Sequence, residues 1–310
     1  MSRREPLIPH TDQEDTTLEK VSRRILILAN PTAGGYRVAT LDAIVAGLAE
    51  RGAAVSVHLT THAGEIAEIC AGQIDCADTL VVAGGDGSVN EALTGLDDAP
   101  CRPVLGIIPF GTANVLAHEL GLPRKPDQLA AVLAAGKTAP LHYGLANGHP
   151  FVMMVSAGFD AEIVHRVPLK LKRRLGKLAY AITALRYGLA NKGRDLRVTV
   201  DGDELTCRLA VVTNMRHYGG PFAICPDAHA TKPGLHLVAL ESDSPLALAR
   251  FSFGLVTQRL AHQHGVTLRP VERVTIAAEN PVPGQIDGDP FGTTPFDVTA
   301  AQATVPIIIP

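Results

Sequence analysis

No window of this sequence reaches 18 uncharged apolar residues, and the opening MSRREPLIPHTDQEDTTLEK carries no apolar core. Neither a spanning helix nor a secretory signal is therefore expected. The five cysteines (Cys70, Cys76, Cys101, Cys207, Cys225) are scattered, with no C-x-x-C pair and no histidine at finger spacing. That excludes a disulfide framework and a structural zinc site, and the thiols read as reduced and mostly buried. An excess of basic charge is missing too: 28 Lys plus Arg stand against 31 Asp plus Glu, a net charge of -3. Without a global positive field, no nucleic-acid partner is expected, and any charge-driven contact must use a local patch. The G-x-S-x-G elbow of serine hydrolases does not occur, and no period of 20 to 50 residues marks a solenoid or propeller. These absences predict a cytoplasmic protein that touches membranes only peripherally.

What is present fits a soluble globular chain of about two domains: 310 residues, 46% hydrophobic and 19% charged, with 29 Gly and 22 Pro. Residues 1–22 are charged and Thr-rich without periodicity and read as a disordered tail. From Ile25 onward, short apolar runs at 25–28, 55–57, 79–82 and 104–108 alternate with helix-like stretches at 41–49, 65–71, 89–96 and 113–120. Strand followed by helix, four times over, predicts an α/β domain with a parallel sheet. A further helix is expected at 127–135. Beyond about residue 140 the runs at 151–155, 196–200, 207–213, 235–240 and 271–277 are separated by turn residues, which predicts a mainly antiparallel β domain. Helical patterns at 170–191 and 246–262 interrupt it.

The strongest chemical signal is Val81-Val82-Ala83-Gly84-Gly85-Asp86-Gly87-Ser88-Val89-Asn90-Glu91: an apolar strand, a glycine turn holding one acid, then a helix. Glycines let the backbone bend and approach a ligand, and the N–H groups that open a helix favour phosphate. Ser88 and Glu91 have the spacing of a capping box. A glycine-rich turn alone is as often structural as functional. Here two more Gly-bearing loops, Asn30-Pro31-Thr32-Ala33-Gly34-Gly35 and Pro109-Phe110-Gly111-Thr112, also follow strands, with Thr60 and Thr61 ending another. Loops at the carboxyl ends of parallel strands converge on one crevice, where open α/β sheets bind ligands. Neither G-x-x-x-x-G-K-[ST] nor G-x-G-x-x-G occurs at these turns, so backbone amides would do most of the holding.

In these motifs the chain resembles the lipid kinases with a diacylglycerol-kinase catalytic domain, a family including bacterial diacylglycerol kinases and the sphingosine and ceramide kinases. The matching segments are NPTAGG at Asn30, TTHAGE at Thr60, GGDGSVNEAL at Gly84, GTANVLAHELGLP at Gly111, KRRLGKLAY at Lys172 and IDGDP at Ile286, in family order from about residue 24. The resemblance implies an ATP-binding α/β domain over 23–140, rejoined by about 298–310 with Ile307-Ile308-Ile309 as a last strand, and a lipid-binding β domain over 141–297, with the site in the cleft between them. It implies nucleotide contacts from Asn30, Pro31, Thr32, Ala33, Gly34, Thr60 or Thr61, Gly84, Gly85, Asp86, Gly87, Ser88, Val89, Asn90 with Glu91, and Thr112. Asp86 would organise magnesium (Mg2+) or phosphate. The family pattern at the late turn is Asp-Gly-Glu. The acid carried over as catalytic base is Asp287, which follows apolar Ile286, with Asp289 in the Glu place as the alternative; residue spacing leaves both open. Departures also stand out. Val115 replaces an acid common in bacterial members, and Pro233 and His236 occupy places where acids help hold a structural magnesium; neither can supply a carboxylate oxygen.

Between Glu162 and Asp195 there is no carboxylate, yet nine Lys or Arg occur, including Lys170, Lys172, Arg173, Arg174 and Lys177, interleaved with leucines and tyrosines. This is the composition of a basic amphipathic helix that can lie on an anionic membrane, although a solvated face is the plainer reading. His262 and His264, at the end of a helical pattern beside Gly265, read as a cap rather than a metal site. The expected activity is transfer of a phosphoryl group from ATP, with magnesium, to a lipid hydroxyl. The rivals are an NAD kinase and a non-catalytic nucleotide-binding membrane sensor. A homodimer is left open.

Overall fold

The structure is a computed structural model that describes residues 23–72, 77–97, 99, 102–159, 161, 193–219 and 222–310. The expected N-terminal tail, Cys76, Cys101, the basic stretch 170–177 and the helix expected at 170–191 lie outside the described residues.

The first half builds a six-stranded sheet from the apolar runs. β1 (Arg24–Ala29), β2 (Ala54–Leu59), β3 (Thr79–Gly84) and β4 (Val104–Pro109) alternate with α1 (Val38–Glu50), α2 (Glu65–Ala71) and α3 (Asp86–Asp97). After β4 come α4 (Val115–Glu119), α5 (Pro126–Ala135) and β5 (Thr138–Leu141). The chain's last strand, β20 (Val305–Ile308), returns to this sheet, and the order is β2-β1-β3-β4-β20-β5. β1, β2, β3 and β4 pair in parallel, β20 joins β4 in parallel, and β5 closes the edge antiparallel. β3 is buried at every position, as a central strand covered on both faces must be, whereas edge strand β2 is largely exposed. The helices pack in pairs over it, α1 with α5 and α2 with α3.

The second half forms two further six-stranded sheets whose strand pairings are all antiparallel among the described residues. One contains β6 (Gly144–Ala146), β7 (His149–Phe151), β9 (Leu196–Val200), β10 (Asp203–Cys207), β16 (Arg273–Ala278) and β19 (Phe296–Ala300). The other contains β8 (Met154–Gly158), β11 (Leu209–Thr213), β14 (Leu235–Leu240), β15 (Val266–Val271), β17 (Pro283–Ile286) and β18 (Asp289–Thr293). A short ladder of β12 (His217–Gly219) and β13 (Phe222–Ala223) stands apart. Val155, Val212 and Leu237 meet Val198, Ile276 and Phe296 in a core of their own, while the alternate residues Met154, Val211 and Val238 belong to the larger core built on the first sheet. The sheet that holds β8 is thus buried on both faces, and it presses the two halves together.

Several expected elements divide. The run 151–155 is the end of β7 and the start of β8, 207–213 is the end of β10 plus β11, and 271–277 spans β15 and β16. The helix expected over 246–262 is α6 (Pro245–Thr257) and a separate 3-10 turn (Leu260–His262), broken at Gln258, which takes a φ of 56°. Residues 296–300 still pair in the second half, so the chain crosses back between Ala300 and Val305 rather than at about 298. Cys70, Cys207 and Cys225 are buried free thiols, as expected.

Candidate active site

The three glycine loops leave β1, β3 and β4, which are neighbours in the sheet, at the same ends. They interlock through their backbones. Asn30 N–H donates to Ala83 O at 2.9 Å, Gly35 N–H to Phe110 O at 2.7 Å, and Phe110 and Gly111 N–H to Gly84 O at 2.8 and 3.1 Å. The Asn30 side chain closes its own loop, accepting from Thr32 N and Oγ1 at 2.9 and 2.7 Å and donating to Ser88 Oγ at 3.4 Å. The fourth neighbour, β2, ends at Thr60, whose N–H donates to Ala29 O at 2.9 Å; Thr61 is turned to the Glu65 carboxylate.

The glycines serve close approach rather than unusual dihedrals, since none of Gly84, Gly85 and Gly87 takes a positive φ. A Cβ on Gly85 would stand 3.1 Å from the Gly111 backbone, and one on Gly84 would sit 2.4 Å from Ser88 Oγ. On the cleft side, a Cβ on Gly34 would meet Thr112 Oγ1 at 3.3 Å and one on Gly87 would meet Asp289 Oδ2 at 3.1 Å. The space beside these two positions is a cradle that side chains would narrow.

Two acids of the glycine turn behave differently from expectation. α3 already begins at Asp86, which puts Ser88 inside its first turn, so the Ser88–Glu91 capping box does not form. The Glu91 carboxylate instead accepts from the Gly64 and Ile66 amides at the start of α2; burial raises its pKa, opposed by those amides, and Asp289 raises it further. Asp86 accepts from Leu116 N at 3.2 Å and from the neighbouring amides that open α4, and burial raises its pKa against those bonds. Asp86 therefore ties α3 to α4. Val89 is buried in the first core, which leaves only its backbone to face a ligand.

Across the cleft, Asp287 and Gly288, with φ of 52° and 88°, form the two-residue turn between β17 and β18, the geometry an Asp-Gly hairpin favours. The Asp287 side chain folds back under the turn and is buried. Its Oδ1 accepts from Met153 and Met154 N–H at 2.8 and 3.0 Å, and its Oδ2 from Val152 N–H at 2.8 Å and Asn90 Nδ2 at 2.9 Å. Asn90 also donates to Pro150 O at 2.9 Å, so α3, β7 and the hairpin are bolted together. Burial pushes the Asp287 pKa from 3.8 up to about 6, against the lowering effect of these donors. Asp289, by contrast, is exposed and stands over Gly87 at the opening turn of α3, where the helix dipole favours a carboxylate. A cavity of about 230 Å3 lies here, lined by Gly87, Asn90, Glu91, Asp287 and Asp289 together with Thr94 and His149.

Thr94 and His149 were not among the residues expected from sequence. His149 follows the Asn147-Gly148 turn, both residues at positive φ, and its ring meets Phe291 edge to face at 5.2 Å. An Asn-Gly pair is a hairpin signal that could have located β6 and β7. Thr94 has no comparable signal. Further from the cavity, the buried Glu119 carboxylate of α4 hydrogen-bonds the His217 ring of β12 and accepts from Arg216 N at 3.2 Å, a second link between the halves. His236, where the resemblance places a metal-binding acid, pairs with Thr213 within the sheet; burial lowers its pKa.

Comparison with known proteins fits this geometry. Residues 24–146 match the diacylglycerol kinase catalytic domain, and residues 153–309 match the YegS C-terminal NAD kinase beta sandwich-like domain. The chain is 27% identical over 296 residues to the diacylglycerol kinase of Bacillus subtilis (strain 168), covering 93% of this chain and 97% of that one. It is 31% identical to a protein of Enterobacter sp. (strain 638) named "Probable lipid kinase YegS-like", over 72% of this chain and 75% of the relative. A crystal structure of a diacylglycerol kinase from Bacillus anthracis str. Sterne superposes with a TM-score of 0.77 over 93% of this chain and 97% of that one at 24% identity, which supports the fold. With both halves matched in order, the chain belongs to the diacylglycerol kinase and YegS-like family of lipid kinases.

Proposed function

We propose that this kinase transfers the γ-phosphoryl group of ATP to a hydroxyl of a diacylglycerol- or sphingoid-like lipid at a membrane surface, with Asp289 receiving the hydroxyl proton. The observation that carries this reading is the contrast between the two turn acids. A base needs an accessible lone pair beside the reacting group. All four hydrogen bonds on Asp287 come from the protein and fix the turn, while Asp289 faces the cavity above Gly87. Asp287, the acid expected from sequence to be the base, is thus better read as the residue that positions Asp289.

The cradle suits a nucleotide triphosphate: Gly34 and Gly87 keep it open, and the amides of α3's first turn face phosphate. Asn30, Thr32, Thr60 and Thr112 line its strand ends. Among the described residues no three His, Cys, Asp or Glu side chains could together hold a metal. The chemistry here fits magnesium carried on the nucleotide, where it would neutralise the phosphates and Asp86 would add a carboxylate, leaving Asp289 for the hydroxyl proton. Phosphoryl transfer depends chiefly on positioning and charge neutralisation, and the bolts through Asn90 and Glu119 hold both halves of the site in register. The division of labour proposed is nucleotide on 23–140 with the returning β20, and lipid on 141–297. No helix among the described residues is long and apolar enough to cross a membrane.

The test is incubation with radiolabelled ATP and a total lipid extract, beside NAD as a second acceptor. A labelled lipid that disappears with Asp289→Asn supports the reading; labelled NAD, or ATP binding without any turnover, refutes it.

A further inference from the structure

Helix α6 has two faces of opposite character. Phe251 and Gly254 are buried, and Phe251 meets Phe159 edge to face at 6.4 Å, so one face packs at the end of β8. The other carries Leu246, Phe253 and Val256, exposed by 60%, 62% and 67%, with exposed Ala249 between them. Their spacing of i, i+3, i+7 and i+10 is a single apolar stripe on a helix. The adjacent β13 adds Phe222, which is 41% exposed.

From the start of the helix onward to Val271 the sequence carries charge of one sign. From Ser244 to Val271 there is no Asp or Glu, while Arg250 lies on α6 and Arg259 follows it, both exposed. Residues 163–194 also lack carboxylates and contain nine Lys or Arg, in a chain whose net charge is -3. The described residues on either side of 162–192 come close to α6: Phe159 packs on Phe251, and Gly193 donates its N–H to Asp243, just before the helix. An apolar stripe flanked by cations is the pattern of an interfacial helix on anionic lipid.

We propose that α6 seats on an anionic bilayer, with Leu246, Phe253 and Val256 in the boundary between headgroups and acyl chains and Arg250 and Arg259 at the lipid phosphates. The choice of a bilayer rests on the lipid-kinase reading above. β8 leads from Met154, beside Asp287, to Phe159, roughly 17 Å at about 3.3 Å per residue, so the helix lies one short strand from the cavity.

The experiment uses the full chain without ATP and vesicles of phosphatidylcholine with phosphatidylserine. The protein has no tryptophan, so Phe253→Trp installs a single reporter. Its emission is expected to shift to the blue on vesicles and to be quenched by a bilayer-embedded quencher. The triple variant Leu246→Ser, Phe253→Ser and Val256→Ser is expected to partition about a hundredfold more weakly, with its melting temperature unchanged. The binding that survives high salt in the unmutated protein, the apolar part, is expected to vanish. An unshifted Phe253→Trp spectrum, or equal partition by the triple variant, overturns the proposal. So does a lower melting temperature, which would mean the chain itself covers the stripe, or a dimer that becomes a monomer, which would mean a second copy does. Because the readout is binding, failure to phosphorylate any lipid would refute the proposed function and leave this surface standing.

Discussion

Replacing each acid of the turn by its amide separates a base from its scaffold. In Asp287→Asn the side chain keeps its shape but gains two N–H donors. If its oxygen stays with Met153 and Met154, the new amide faces the Val152 N–H and Asn90 Nδ2, donor against donor. An unsatisfied buried donor costs about 1–3 kcal/mol, so the pair costs roughly 2–6 kcal/mol. Against this, the substitution removes a buried charge. With the pKa raised from 3.8 to about 6, the folded protein binds this proton more tightly than the unfolded chain does. The contribution is fully present below pH 3.8 and is lost as pH rises through about 6, after which the ionised group costs about 3 kcal/mol. At pH 4.5 the same relation gives a cost of about 1 kcal/mol. Asp287→Asn should therefore destabilise the protein by about 2 kcal/mol more at pH 4.5 than at pH 7.5. Asp289→Asn should change stability by less than about 0.5 kcal/mol at either pH and lower kcat by about 10² to 10⁴ with ATP binding retained. Denaturant unfolding of both variants at the two pH values, paired with turnover on dispersed diacylglycerol, measures all of this. An Asp287→Asn protein as stable as the original yet a hundredfold slower, beside an Asp289→Asn protein of normal rate, would make Asp287 the base.

Four further perturbations probe the rest of the site. Gly87→Ala should leave the fold intact, because its φ is not positive, but lower kcat about tenfold or more by pressing on Asp289 Oδ2; Gly85→Val should lower melting temperature and ATP affinity together, because it collides with the Gly111 backbone. A Gly87→Ala enzyme of normal rate would remove Asp289 from the reaction. Glu119→Ala leaves the His217 ring and the Arg216 N–H without their buried acceptor and should cost about 2 kcal/mol in unfolding experiments, with a stability within 0.5 kcal/mol of the original counting against the bolt. Exhaustive chelation should stop turnover yet leave the melting temperature of the nucleotide-free protein unchanged, and a large drop would reveal a resident metal.

The α/β half was legible because its strands are short apolar runs bounded by glycine loops that alternate with helix-like stretches; the returning β20 came from family resemblance, since nothing local in Ile307-Ile308-Ile309 says which sheet it joins. The β half was read more coarsely. β11 is buried on both faces, so the alternation that would have fixed its limits is missing, and the run through Cys207 crossed silently from β10 into β11. β17, with Gly284 and Gln285 near its centre, and β18, opening Asp-Pro-Phe-Gly, carry too few β-formers to announce themselves. Both exist because Asp287 and the β8 backbone hold them.

The order of the two acids depends on a feature that sequence spacing carries only in part. Two residues apart in a straight strand, Asp287 and Asp289 would share a face. The Asp-Gly pair makes the strand reverse instead, which places Asp287 within the turn and Asp289 on the next strand. An apolar neighbour such as Ile286 does mark a residue held by packing, and Asp287 is so held. Being held, however, is what weighs against that role in the function proposed above: each of its oxygens already has two donors, and a proton acceptor must present one to the substrate. The same reasoning separates Asp86 and Glu91 from the glycines around them. Acids in and beside the glycine turn are drawn to whichever helix starts lie nearest, here those of α4 and α2, and so they hold the turn against its neighbours.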